Sequence, residues 1–144
     1  MSNIKKPTTK QKNSENEMFA TLLELQRRNM VLSEWAQENT LKQRATQMQQ
    51  EVEELMVELD RDNAKRIADE LGDVLWDCVG TIARGEYEGK FKMQEILDHI
   101  HKKYTQRKPF LVANKKVTRD EEWKVWNEVK ARQKEEQAKH YGSN

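Results

Sequence analysis

The chain has 144 residues, 26 basic and 25 acidic side chains, a formal charge of +1, and hydrophobic and charged shares of 35% each. A balanced charge argues against a dedicated nucleic-acid binder, a single cysteine, Cys78, excludes an internal disulfide, and no stretch approaches the roughly 18 apolar residues of a membrane span. The opening MSNIKKPTTKQKNS has no apolar h-region, so it does not read as a secretory leader, and a cytoplasmic location is the expectation.

Five Gly and two Pro in the whole chain favour helices over a turn-rich β fold. The expected architecture is an all-α bundle of about five helices whose thin core is completed by oligomerisation. Residues 1–14 are polar and aperiodic and read as a disordered basic tail; residues 15–135 read as one helical domain, and 136–144 as a flexible tail. The first helix is predicted from about Ser14 to Leu32. A Ser14/Glu17 capping box would start it, and Phe19, Leu22, Leu23 and Met30 would face inward. The second runs from about Glu38 to Leu59, with Leu41, Ala45, Met48, Val52, Leu55 and Leu59 as its apolar seam. After a polar turn at Asp60–Asn63, the third runs from Ala64 to Arg84. Its broad stripe of Ile67, Leu71, Val74, Leu75, Cys78, Val79 and Ile82 suits the centre of a bundle, and Gly85 is read as its end. Cys78 itself reads as a buried small hydrophobe. The fourth covers Lys92 to Gln106, with Ile96, Leu97, Ile100 and Tyr104 inward, and Pro109 stops it. An extended loop over 110–117 leads to a last helix that Thr118 and Glu121 cap. Trp123, Trp126 and Val129 dock it before it frays into the charged tail.

The second and third helices carry the chemistry. Glu51 and Glu54 stand in QEVEEL, Glu70 and Asp73 in DELGDVLW, each pair three residues apart and so on one helical face. The short connection makes the helices antiparallel. Counted from Asp62, Glu54 and Glu70 are each eight residues out, and Glu51 and Asp73 each eleven, so the pairs fall at matching heights. Each acid precedes an apolar position, at the edge of the seam. Four hard oxygen donors so placed suit Mg²⁺, with Mn²⁺ as the alternative, and through it a polyphosphate. A di-iron carboxylate site would need Glu-x-x-His pairs, and none of His99, His101 and His140 stands three residues after a Glu. Acid pairs at this spacing also occur on solvated faces, which leaves a non-enzymatic helical dimerisation or nucleotide-binding module as the rival reading. Glu58 and Asp77 continue the two acidic faces by one turn, as further ligands, supporting groups or exposed acids.

At these residues the chain resembles the MazG-like nucleotide pyrophosphohydrolases of the all-α NTP pyrophosphatase superfamily. KYTQRKPF (103–110) resembles the basic strip that follows the metal helices there. EEWKVWNEVKARQ (121–133) resembles the family's late Trp-x-x-x-Lys helix, with Trp126 and Lys130 in the matching places. SEWAQENTLKQR (33–44) carries a Trp and a Thr ahead of the acids, as MazG domains do. The resemblance spans roughly residues 17–133. It implies a dimeric or tetrameric helical bundle that uses Mg²⁺ to cleave an NTP or dNTP to NMP and pyrophosphate. Glu51, Glu54, Glu70 and Asp73 become the metal ligands, and Glu51 or Glu54 the general base. Lys103 and Arg107 become candidates for the phosphates, and Lys130 for a substrate contact. Trp76 is a candidate for base stacking against a core-packing alternative, Trp35 for covering the site, and Asp77 for a substrate contact. Gln50 stands where the family often has Glu, Asn39-Thr40 replaces the more usual Gln-Thr, and the preceding Cys-Pro is missing; these departures bear on substrate preference.

Overall fold

The computed structural model describes residues 6–141, which form seven helices and, among the described residues, no strand. The chain divides into two compact units, Met1–Met93 and Gln94–Asn144.

The first unit holds α1 (Thr9–Leu32), α2 (Glu34–Glu38), α3 (Leu41–Asp60) and α4 (Ala64–Tyr87). A capping box starts α1, but it is Thr8 with Gln11, not Ser14 with Glu17: the Thr8 hydroxyl accepts from the Gln11 amide and the Gln11 side chain accepts from the Thr8 amide. The segment expected to be unstructured through residue 14 is therefore helical from Thr9, and residues 1–5 lie outside the described region. Ser33 ends α1 and caps α2 through the Ala36 amide. A second box, Thr40 with Gln43, starts α3. The helix predicted from Glu38 is thus broken at Asn39, whose backbone is extended. Between α3 and α4 the chain reverses in three residues. Asp62 takes a left-handed φ of 53°, which a short polar side chain tolerates, and the Asn63 side chain accepts from the Arg66 amide to open α4.

Gly85 does not end α4, which runs on to Tyr87. Gly85 is buried because the ring of Phe91 folds back onto it, and a Cβ there would collide with that ring. The reversal after the helix falls to Gly89 at φ 70°, a conformation that glycine adopts without steric cost.

α3 and α1 both pack on α4, the central helix. The small apolar core comprises Met30, Ala36, Val79, Ala83 and Met93, while Cys78 is half-buried. The predicted seam of α3 is rotated. Ala45, Val52 and Leu59 are exposed, and the buried residues of α3 are Arg44 and Glu58. The helix turns its polar face inward because the inward positions recur at seven-residue steps through Arg44, Glu51 and Glu58. Polar ties reinforce the packing. Arg84 on α4 donates to the Ala36 and Gln37 carbonyls of α2 at 3.2 and 2.7 Å. Arg27 on α1 donates two hydrogen bonds, 2.8 and 3.0 Å, to the carboxylate of Glu86 on α4. That carboxylate also accepts from the Met93 amide at 3.0 Å.

The second unit contains α5 (Met93–Arg107), α6 (Pro109–Ala113) and α7 (Arg119–Tyr141). Part of the loop predicted to be extended is α6, since Pro109 both stops α5 and occupies the first turn of a new helix. Thr118 and Glu121 cap α7 as predicted, with the Thr118 amide donating to Glu121 at 2.8 Å. The helix continues past residue 135 to Tyr141 instead of giving way to a loose tail, and 142–144 lie outside the described region. Trp126 docks it, 6.1 Å from the Tyr104 ring and 5.0 Å from the Arg107 guanidinium. Trp123, expected beside it, is 66% exposed. No described helix is long and apolar enough to cross a membrane.

The Arg27–Glu86 tie makes the first unit sensitive to acid. Arg27 and, secondarily, the Met93 amide hold the Glu86 carboxyl below its ordinary value of 4.5, against the effect of burial. A depressed folded-state pKa gives stability that is present above 4.5 and lost as pH falls through the lowered value. Glu86→Gln should cost about 1 kcal/mol at neutral pH, the pair being partly solvated. The variant's deficit in urea unfolding should shrink as pH drops below 4.5; a deficit constant with pH would assign the tie no electrostatic content.

Candidate metal centre and active site

The tight reversal after Asp60 brings the acidic faces of α3 and α4 together. Carboxylate oxygens of Glu51, Glu70 and Asp73 lie within 4.8 Å of one another. Glu51 and Glu70 are half-buried and Asp73 is exposed. Glu54, expected as a fourth member, is exposed and outside this trio, yet close enough that its charge acts on both Glu51 and Glu70.

This cluster is electrostatically unfavourable on its own. Burial, then the charges of Glu54, Asp73, Asp77 and Glu70, push the Glu51 carboxyl above its ordinary value. Burial, then Glu54, Asp73, Glu58 and Asp69, do the same to Glu70. Among the described residues no Lys or Arg makes an ion pair with Glu51, Glu54, Glu70 or Asp73. One Glu70 oxygen, Oε2, is sealed from solvent without a hydrogen-bond partner. Carboxylates so crowded and uncompensated fit a hard divalent cation, which takes oxygen donors and relieves their repulsion.

Glu58, one turn along, is only 4% exposed. Its Oε1 pairs with Arg61 at 2.9 Å and Arg66 at 3.7 Å, and its Oε2 is buried and unpartnered. Glu58 therefore pins the turn end of the helix pair. At the other end Asp77 is half-buried. Burial raises its carboxyl, and nearby Arg44 partly opposes that rise. Trp76 is 37% exposed and its carbonyl accepts from Gln26 at 3.0 Å. Trp35 is 55% exposed and its ring lies 5.8 Å from the Arg44 guanidinium.

Lys103, Arg107 and Lys130 are brought together in the second unit. With His99, Lys102 and Lys134 they line a groove of about 450 Å³ between α5 and α7. Arg107 donates through Nε to Gln133 at 2.8 Å, and Gln133 donates to the Lys103 carbonyl at 3.2 Å, so α7 braces the basic strip of α5.

Arg44, Gln26 and the inward burial of Glu58 were not foreseen as parts of this arrangement. Their signal is the spacing of Arg44, Glu51 and Glu58, seven residues apart on one face of α3. A search for apolar seams passes over it.

No curated protein matches the chain. The crystal structure of a mazG-related protein from Thermotoga maritima shares its fold, with a TM-score of 0.74 at 21% identity, over 78% of this chain and 98% of that one. The MazG nucleotide pyrophosphohydrolase domain matches residues 38–112, the segment holding both acid pairs. With more than half of its length matched, the chain belongs to the MazG nucleotide pyrophosphohydrolase domain family.

Proposed function

We propose that the chain hydrolyses a nucleoside triphosphate, ribo or deoxy, between the α and β phosphates, releasing NMP and pyrophosphate. The observation that carries this reading is the convergence of Glu51, Glu70 and Asp73 within 4.8 Å with no cationic partner among the described residues. Glu51, Glu54, Glu70 and Asp73 hold Mg²⁺, or Mn²⁺ in its place. The ion, when bound, neutralises phosphate charge and polarises the phosphoryl oxygens. Glu51 or Glu54 takes the proton from an attacking water as its oxygen bonds to the α-phosphorus and the bond to the bridging oxygen breaks. Lys103, Arg107 and Lys130 take phosphate oxygens; their gathering in one groove supports that role. Trp35, Trp76 and Asp77 contact the nucleoside.

The chain also self-associates in this reading, as a dimer or tetramer. Val52, Met56 and Leu59 on α3 and Leu71 and Leu75 on α4 are each 40% or more exposed, an apolar stripe that a lone chain leaves in water. Sedimentation should give a mass of two or four chains, and a monomer at micromolar concentration would refute this.

Metal binding to the folded state stabilises it by linkage, about 2.7 kcal/mol at a hundredfold excess over Kd. Millimolar Mg²⁺ should therefore raise the melting temperature of the wild type, and Glu70→Gln should abolish the rise. An unresponsive wild type removes the metal centre and favours a helical interaction module. Incubated with a panel of NTPs and dNTPs, the protein should release monophosphate and pyrophosphate in equal amounts, and Glu70→Gln should slow this about 100-fold or more. Retention of nucleotide without cleavage, for every triphosphate with Mg²⁺ and Mn²⁺, would leave a binding protein and sink the hydrolase reading.

A further inference from the structure

Arg44 is 4% exposed, yet its guanidinium is poorly satisfied. Nη1 donates to Gln47 at 3.4 Å, a long and weak hydrogen bond. Nε is sealed from solvent with no partner, and Nη2 has none among the described residues. No described carboxylate makes an ion pair with it; Asp77 is the acid that senses its charge. A buried guanidinium without acceptors is costly, and such exceptions call for a functional partner.

The fold makes room for this group. Gly80 of α4 faces it, and a Cβ there would collide with Nη2 and come 2.8 Å from Gln26 Nε2. Gln26 is in turn held by the Trp76 carbonyl at 3.0 Å. Helices α1, α3 and α4 thus meet around the guanidinium. Arg44, Gln47 and Glu51 share one face of α3, three and seven residues apart. At 1.5 Å per residue Arg44 stands about 10 Å along the helix from Glu51. A triphosphate seated on the acids would need its ribose and base to span that distance. The groups at the far end are those that read a base. Arg44 offers an unfilled pair of parallel donors, Nε and Nη2. The Gln47 amide lies beside it and is itself within 3.4 Å of the Asn39 side-chain oxygen. The Trp35 ring, on the five-residue helix α2, lies 5.8 Å from the guanidinium.

We infer that Arg44 is the base-reading residue of the site, and that its Nε–Nη2 edge pairs with a 6-oxopurine. Guanine and hypoxanthine present two adjacent acceptors, O6 and N7, that match this fork, whereas adenine places an N–H₂ donor where O6 would be and opposes donor to donor. Trp35 stacks on the bound ring, a sequence-tolerant contact that adds affinity without choosing the base. The assignment rests on the hydrolase reading for its reaction, though not for its binding.

The test compares wild type, Arg44→Lys and Arg44→Gln by two readouts: kcat/KM for GTP, ITP and ATP with Mg²⁺, and dissociation constants of GMP and AMP by titration calorimetry. Wild type should favour the 6-oxopurines over adenine about tenfold or more in both. Arg44→Lys keeps the charge but loses the fork. In both variants the GTP-to-ATP and GMP-to-AMP ratios should fall toward one, while the Mg²⁺-induced rise in melting temperature persists and reports a folded metal centre. A wild type without preference for GMP over AMP overturns the assignment, even where neither variant folds. So does a parallel loss of GTP and ATP turnover at constant ratio, the signature of a phosphate or purely structural role. If no triphosphate is cleaved but the GMP preference exists and disappears in Arg44→Lys, the hydrolase reading falls and the base assignment stands.

Discussion

Two helices held antiparallel by a three-residue reversal, with their charged faces inward, are the constraint from which the first unit follows. Helix pairs ordinarily bury apolar stripes. Here the buried residues of α3 are Arg44 and Glu58, with Glu51 midway between them, and α4 answers with Glu70, Asp73, Asp77 and Gly80. Along the pair, charge runs from an Arg–Glu clamp at the turn, through an uncompensated acidic middle, to a guanidinium at the open end. The clamp and the node around Gly80 fix the two ends, so the like charges between them cannot relax by separating. The strain falls on the part of the pair that the proposed reaction uses.

The heights of the acids were legible because they depend only on residue count and helical rise, and both survive small errors in helix boundaries. The rotation of α3 was not. Leu41, Ala45, Val52 and Leu59 look inward to any rule that equates apolar with buried, and Val52 and Leu59 instead stand 40% and 46% exposed. Pattern reading assumes that the neighbour to be packed against is in the same chain. Helix ends failed for a different reason. Gly85 and Pro109 are genuine breakers by type, but tertiary contact with Phe91 keeps α4 going through the glycine, and α6 begins where the proline stops α5. The Thr118/Glu121 box was read correctly because its hydrogen bonds are local and need no partner helix.

The family match and the site do not cover the same ground. Residues 38–112 include the acids, Arg44, Asp77, Lys103 and Arg107, but not Gln26, Trp35 or Lys130. The match takes in the helix pair that gathers the carboxylates, together with α5 and most of α6. In the first unit α1 with Gln26 and Trp35 of α2 lie outside the match, as does α7 with Lys130 in the second.

The inversion of α3 also has an energetic consequence. A helix that buries a guanidinium and a carboxylate while exposing Val52, Met56 and Leu59 gains little from folding as a lone chain. The desolvation of Arg44 and Glu58 offsets much of what the small core of Met30, Ala36 and Ala83 contributes. Under the proposed function, two sources outside the unit would add to its stability. A second copy over the apolar stripe would bury area worth roughly 25 cal/mol per Å², and a cation between Glu51, Glu70 and Asp73 would turn mutual repulsion into coordination. Both would act on the α3–α4 pair, at neighbouring faces of the same helices. A partner that stiffens the outer face holds the inner carboxylates in register for the ion, and an ion that locks the inner face presents a rigid apolar stripe to the partner. Under the proposed function, assembly and metal binding would on that account be coupled, each lowering the ordering cost of the other.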